Sequence, residues 1–138
     1  MYNYDNMNRI LMIDDNPMEH FIALKLLKNT GLFENTKHVT NGLETLKFIE
    51  QNLTNTDELP DVILLDINMP DINAWGFLDR YKQLHQNISK PIDIYIVSSS
   101  IDADDMLKSK TYPFVKSYLV KPLSADILVK IYNDRAKA

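Results

Sequence analysis

Four short stretches of this chain carry side chains that could do chemistry: Asp14-Asp15, Asp66, Ser98 and Lys121. They are far apart in sequence, yet each ends a short apolar run. Arg9-Ile-Leu-Met-Ile13 precedes the acid pair, Val62-Ile-Leu-Leu65 precedes Asp66, Ile92 to Val97 precedes Ser98, and Val115 to Val120 precedes Lys121. Three carboxylates gathered in one place repel one another by roughly 1 to 4 kcal/mol per pair at about 4 Å, depending on the effective dielectric, so a cation belongs with them. Carboxylate oxygen without His or Cys suits a hard ion, and Mg²⁺ that keeps several waters fits such a set better than a fully caged metal. Lys121 adds a compact positive charge suited to a carboxylate or a phosphoryl oxygen. A metal, a lysine and a hydroxyl around one carboxylate are the equipment of phosphoryl transfer.

Bringing these groups together requires the apolar runs to be neighbouring strands. Between the runs lie stretches with helical spacing and helix-start signals, which predicts five strand and helix pairs. Asn16 is placed to cap the first helix, with Pro17 in its first turn and Glu19 completing a capping box. That helix is predicted to turn Met18, Phe21, Ile22 and Leu26 inward and to end near Gly31. A weak second strand spans Thr36 to Val39, and Asn41-Gly-Leu-Glu44 opens a helix carrying Leu43, Leu46 and Ile49. Pro60-Asp61 interrupts the chain before the third strand. Asn73 or a neighbour caps a helix with Phe77, Leu78 and Tyr81, Pro91 precedes the fourth strand, and a short helix runs from about Asp102 to Lys110. Ser124 caps the last helix, with Leu123 and Leu128 as a hydrophobic staple and Ile127 and Ile131 on its buried face. Apolar strands alternating with amphipathic helices form a parallel sheet covered on both faces. The expected architecture is an α/β, doubly wound (βα)₅ fold with a five-stranded parallel sheet, in which ligands bind outside the carboxyl ends of the strands.

Composition excludes several classes. A chain of 138 residues is the size of one domain, and its formal charge of -4 gives no basic stripe for direct nucleic-acid binding. There is no cysteine, hence no disulfide, thiolate metal site or cysteine nucleophile. The apolar runs are too short to insert in a membrane, and Met1 to Met7 lacks the basic and apolar regions of a secretory signal, so a cytoplasmic location is expected. His20, His38 and His85 show no ligand spacing and read as surface or edge filling. Trp75 reads as packing, and the acids from Asp102 to Asp105 as a solvated helix start. Each site residue also has a plain alternative: Asp14-Asp15 as turn residues, Ser98 as a cap like Ser99, Ser100 and Asp102, and Lys121 as a surface lysine. Only their shared position at strand ends argues for function.

The motifs Asp14-Asp15, Leu64-Leu65-Asp66-Ile67-Asn68-Met69-Pro70, Val97-Ser98-Ser99 and Tyr118-Leu-Val-Lys121-Pro122 stand in order at strand ends. With them the chain resembles the receiver domain family of two-component response regulators over about residues 8 to 135. The resemblance implies a flavodoxin-like fold with strand order 2-1-3-4-5, one receiver domain over residues 1–138, and no output domain. It implies that Asp66 is phosphorylated and that Asp14, Asp15, Asp66 and the backbone carbonyl of Asn68 serve Mg²⁺, Asp14 mainly through metal-bound water. Lys121 would pair with Asp66 and then with the phosphoryl group, Ser98 would donate a hydrogen bond to that group, and Ser98 and Tyr118 would form a switch. Lys121-Pro122 would be a cis peptide. The implied partners are a histidine kinase or histidine phosphotransfer protein and a downstream protein, with a homodimer left open. The chain would catalyse its own phosphorylation and slow autodephosphorylation without being an enzyme in the ordinary sense.

Two stretches depart from the family's pattern. Ala74 stands where Gly is usual, and Ser109-Lys-Thr-Tyr-Pro-Phe114 replaces a small Ala-Gly stretch after the fourth helix. Three rival readings carry less weight. A haloacid dehalogenase-type phosphatase would want a second acid where Asn68 stands. A flavin module would not place the acidic turn Asp14-Asp-Asn-Pro at a phosphate. A receiver reduced to docking would not keep all the acids, Ser98 and Lys121.

Overall fold

Residues 9–33 and 35–136 are described by the computed structural model, and Met1 to Met7 lie outside that range. The ten expected elements follow in order: β1 (Arg9–Ile13), α1 (Pro17–Thr30), β2 (Asn35–Val39), α2 (Gly42–Gln51), β3 (Val62–Asp66), α3 (Ala74–His85), β4 (Asp93–Ser98), α4 (Ala103–Ser109), β5 (Val115–Val120) and α5 (Ala125–Ala136). The fourth strand lies one residue later than expected, taking in Ser98 itself. All strand pairs are parallel, and the sheet order is β2-β1-β3-β4-β5. Every residue of β3 is buried, as befits a central strand covered on both faces, whereas the edge strands β2 and β5 are partly exposed.

Strand alternation divides the core into two layers. Ile10, Met12, Val62, Leu64, Tyr95 and Val97 pack with Ala23 and Leu27 of α1 and Leu128 and Ile131 of α5. Leu11, Ile13, Ile63, Leu65, Ile94 and Ile96 pack with α2, α3 and the segment that follows α4. Tyr112 and Phe114, in the unusual stretch after α4, are buried, and the Tyr112 hydroxyl donates to Asp79 on α3 at 2.7 Å. The bulky residues there thus anchor α4's exit to α3, where Trp75 stacks on Tyr112.

The helix caps follow the sequence at Asn41, Asn73, Asp102 and Ser124. Two details of α1 differ. Met18 and Phe21 are 60% and 53% exposed, and the buried positions are Ala23 and Leu27, so the inward face is turned about one residue from the expected one. The helix has apolar residues on several sides, which leaves its period a poor guide to its phase. Leu43 on α2 is likewise on the solvent side, with Thr45, Leu46 and Ile49 buried. Glu19 forms no capping box. Asn16 accepts from Met18 N–H, and the Asn16 N–H that a capping glutamate would take already donates to Asp14 Oδ1 at 2.9 Å.

Candidate functional site

The site lies where the strand order reverses, outside the carboxyl ends of β1 and β3. Asp66 is the last residue of β3, and Asp14 and Asp15 follow β1 directly. One carboxylate oxygen from each of these three acids lies within 4.8 Å of the other two. Asp14 is 2% exposed and Asp66 9%, while Asp15 faces solvent. Backbone bonds hold the frame. Asp14 N–H donates to Val39 O at 3.1 Å, and Lys121 N–H donates to Ser98 O at 2.8 Å. Ala74 N–H closes the loop after Asp66 onto Ile67 O at 3.0 Å, so the residue that replaces the family's usual glycine begins α3 in a buried position.

Lys121 reaches across this edge. Its Nζ is 3.0 Å from Asp14 Oδ2 and 3.4 Å from Asp66 Oδ1, and Glu19 Oε1 lies 4.0 Å away. Burial, followed by the charge of Asp14, pushes the Asp66 carboxyl above its ordinary pKa, while the charge and hydrogen bond of Lys121 pull it down. Burial works against the Lys121 ammonium, but the hydrogen bond and charge of Asp14, with the charges of Asp66 and Glu19, outweigh it and raise the lysine above its usual range. All the clustered donors are carboxylate oxygens, with one of the three acids exposed, which fits a hard divalent cation that keeps some of its water.

Ser98 is buried at the end of β4, and its neighbour Val97 is the register partner of Asp66. Its Oγ accepts from Ser100 N–H at 3.0 Å, and the Tyr118 hydroxyl donates to Ser100 O at 2.8 Å. Ser98 and Tyr118 therefore grip the same residue of the β4–α4 loop from two sides. Ser100 also bonds Asp105 on α4 through its hydroxyl at 3.0 Å. Asn68 is exposed two residues beyond Asp66, and the Lys121–Pro122 peptide is cis.

Sequence reasoning missed several neighbours. By spacing alone Glu19 reads as a cap and His20 and His38 as filler. His20 Nε2 is 2.6 Å from Asp14 O, and its Nδ1 is 2.8 Å from His38 Nδ1. A carbonyl can only accept, so His20 Nε2 donates to Asp14 O. Burial, then the neighbouring His20, lowers the His38 pKa. Asp71 carries no spacing signal either. Its Oδ2 accepts Leu43 N–H at 2.8 Å, tying the loop after Asp66 to the start of α2. Gly42 permits that approach, since a Cβ there would lie 2.8 Å from Ile72 Cγ2.

Comparison with known proteins agrees with this geometry. A family model described as the response regulator receiver domain matches residues 10–133. Protein PilH of Pseudomonas aeruginosa is 29% identical over 127 residues, covering 92% of this chain and 96% of that protein. The sensor histidine kinase CheAY of Helicobacter pylori is 30% identical over 128 residues, which cover 93% of this chain and 15% of the kinase. Among solved structures, a two-component response regulator from Cytophaga hutchinsonii superposes with a TM-score of 0.84 at 31% identity, covering 94% of this chain and 97% of that one. No helix among the described residues is long and apolar enough to cross a membrane.

Proposed function

This chain belongs to the response regulator receiver domain family of two-component systems, and from that premise we propose that it takes a phosphoryl group onto Asp66 from a phosphohistidine, with Mg²⁺ as cofactor. The donor is a histidine kinase or a histidine phosphotransfer protein in the cytoplasm. The observation that carries this reading is the Lys121 ammonium between Asp14 and Asp66, at the edge where Asp15 completes the acid group.

An Asp66 carboxylate oxygen attacks phosphorus in line with the histidine nitrogen. The new P–O bond forms as the P–N bond breaks, and the imidazole leaves with that bond's electron pair. Charge spreads over the three equatorial phosphoryl oxygens, and stabilising it is the main task of the site. Asp14, Asp15 and Asp66, with the carbonyl of Asn68, would hold Mg²⁺. The ion supplies neutralisation of the acids and Lewis-acid stabilisation of phosphoryl oxygen. Lys121 turns from the carboxylates toward the same oxygens. The chain thereby catalyses its own modification and turns over no separate substrate.

The reading is tested by the intact mass of the parent chain. Acetyl phosphate with Mg²⁺ is expected to add one phosphoryl group, and excess chelator is expected to abolish the gain. No gain with the metal present, or equal labelling in chelator, would count against it.

Signalling to a downstream protein follows from the grip on Ser100. A phosphoryl group on Asp66 adds roughly -1.5 to -2 of charge and several strong acceptor oxygens. It draws the Ser98 hydroxyl away from Ser100 N–H, and the loop that Tyr118 and Asp105 also hold moves with it, shifting the population of the α4 and β5 face. Ser98→Ala is therefore expected to be labelled on Asp66, more slowly than the parent, and to show a much smaller phosphorylation-dependent change in amide exchange over Ile101 to Ser124. An exchange change equal to the parent's at equal labelling would remove the hydroxyl from this path.

A further inference from the structure

Glu19 lies on the first turn of α1 with its side chain 21% exposed and one oxygen 4.0 Å from Lys121 Nζ. Its place follows from the local backbone rather than from chance. Pro17 starts the helix, Asn16 spends its side chain on Met18 N–H, and Asp14 Oδ1 takes the Asn16 N–H, so the glutamate has no amide to cap and is left facing the lysine. We propose that Glu19 is a fourth carboxylate of the phosphoryl-transfer site, a positioning residue that shares the Lys121 ammonium with Asp14 and Asp66 and sets the net charge an incoming anion meets. The inference rests on the reading of Asp66 as the phosphoacceptor.

The charge count decides the sign of its effect. Asp14, Asp15 and Asp66 oppose Lys121 with a net charge of -2, which one divalent cation would cancel. Glu19 leaves one negative charge uncompensated even with the cation bound. That charge draws the metal in. It also repels a phosphodonor, and it competes with the phosphoryl oxygens for Lys121, which must turn toward them. Glu19 therefore favours metal binding and restrains phosphorylation. A contact of this kind with 21% of the side chain exposed is screened by salt, because the Debye length falls from about 10 Å at 0.1 M to about 3 Å at 1 M.

The experiment compares the parent chain, Glu19→Gln and Glu19→Asp. Two quantities are read at low and high ionic strength: the Mg²⁺ concentration at the midpoint of thermal stabilisation without any phosphodonor, and the rate of acetyl phosphate labelling by intact mass at saturating Mg²⁺. At low salt, Glu19→Gln is expected to need roughly three- to tenfold more Mg²⁺ and to be labelled roughly three- to tenfold faster. Both differences shrink toward unity in 1 M salt. Glu19→Asp, which keeps the charge, stays close to the parent in Mg²⁺ midpoint. Parent-like values for Glu19→Gln at low salt would overturn the proposal. So would changes of equal size at both ionic strengths, since they would mark a packing effect instead of a charge. If the parent itself takes no phosphoryl group, the reading of Asp66 fails, while the metal midpoint still tests whether Glu19 acts on this site.

Discussion

Incubated with acetyl phosphate and Mg²⁺, the Asp66→Asn variant is expected to gain no phosphoryl mass at all, and in chelating buffer at neutral pH it is expected to be more stable than the parent. The first effect follows from the amide's lack of a nucleophilic oxygen anion at the only acid that ends β3. The second follows from linkage. Burial and Asp14 raise the Asp66 pKa above its ordinary value of 3.8, so between that value and the raised one the folded chain binds more protons than the unfolded chain. Stability contributed by this group is therefore present below pH 3.8 and lost as pH rises through the folded pKa. Asn removes the charge that costs it. The gain at pH 7 is about 1 kcal/mol on the scale of a like-charge pair near 4 Å, or about 3 °C in Tm for a domain of this size. Thermal unfolding across pH is the check, and the difference is expected to close on acidification. Labelling of the variant at another residue, or a parent more stable than the variant at pH 7, would overturn the respective half.

The largest loss of stability is expected at the opposite end of the sheet, from Asp61→Ala. Asp61 is fully buried just before β3, where its Oδ2 accepts Arg9 N–H at 2.9 Å and its Oδ1 lies 3.0 Å from Lys90 Nζ and 3.3 Å from Arg135 Nη2. Arg135, on the last turn of α5, also donates to Pro91 O at 2.7 Å and pairs with Asp93 at 3.4 Å. One carboxylate thus joins the starts of β1, β3 and β4 to α5. Its removal leaves the nearly buried Lys90 ammonium without its carboxylate and the buried Arg135 guanidinium with Asp93 as its counter-charge, and breaking such a buried cluster from one side costs about 3 to 5 kcal/mol. Denaturant unfolding is expected to show that loss with little change in slope. A loss under about 1 kcal/mol would mean that solvent compensates the two cations.

Much of this molecule is written locally. The alternation of apolar runs with capped helical stretches located all ten elements, because strand burial and N-capping depend on residues only a few positions apart. The same runs placed Asp14, Asp15, Asp66, Ser98 and Lys121 at strand ends, and the family resemblance supplied the strand order. What the sequence left open was whatever depends on which elements meet. Apolar residues on several sides of α1 leave its phase ambiguous, so its spacing turns Met18 and Phe21 inward where the fold buries Ala23 and Leu27. Asp61 looked like punctuation after a proline until α5 and the segment before β4 closed over it with Arg135 and Lys90. Glu19 fitted a capping box by spacing, and only the fold brought a lysine from beyond β5 beside it. The Lys121 to Asp14 bond joins residues 107 positions apart. Periodicity reports the environment of each residue along its own element, whereas a contact of that span exists only once parallel pairing has carried two strand ends to the same edge of the sheet.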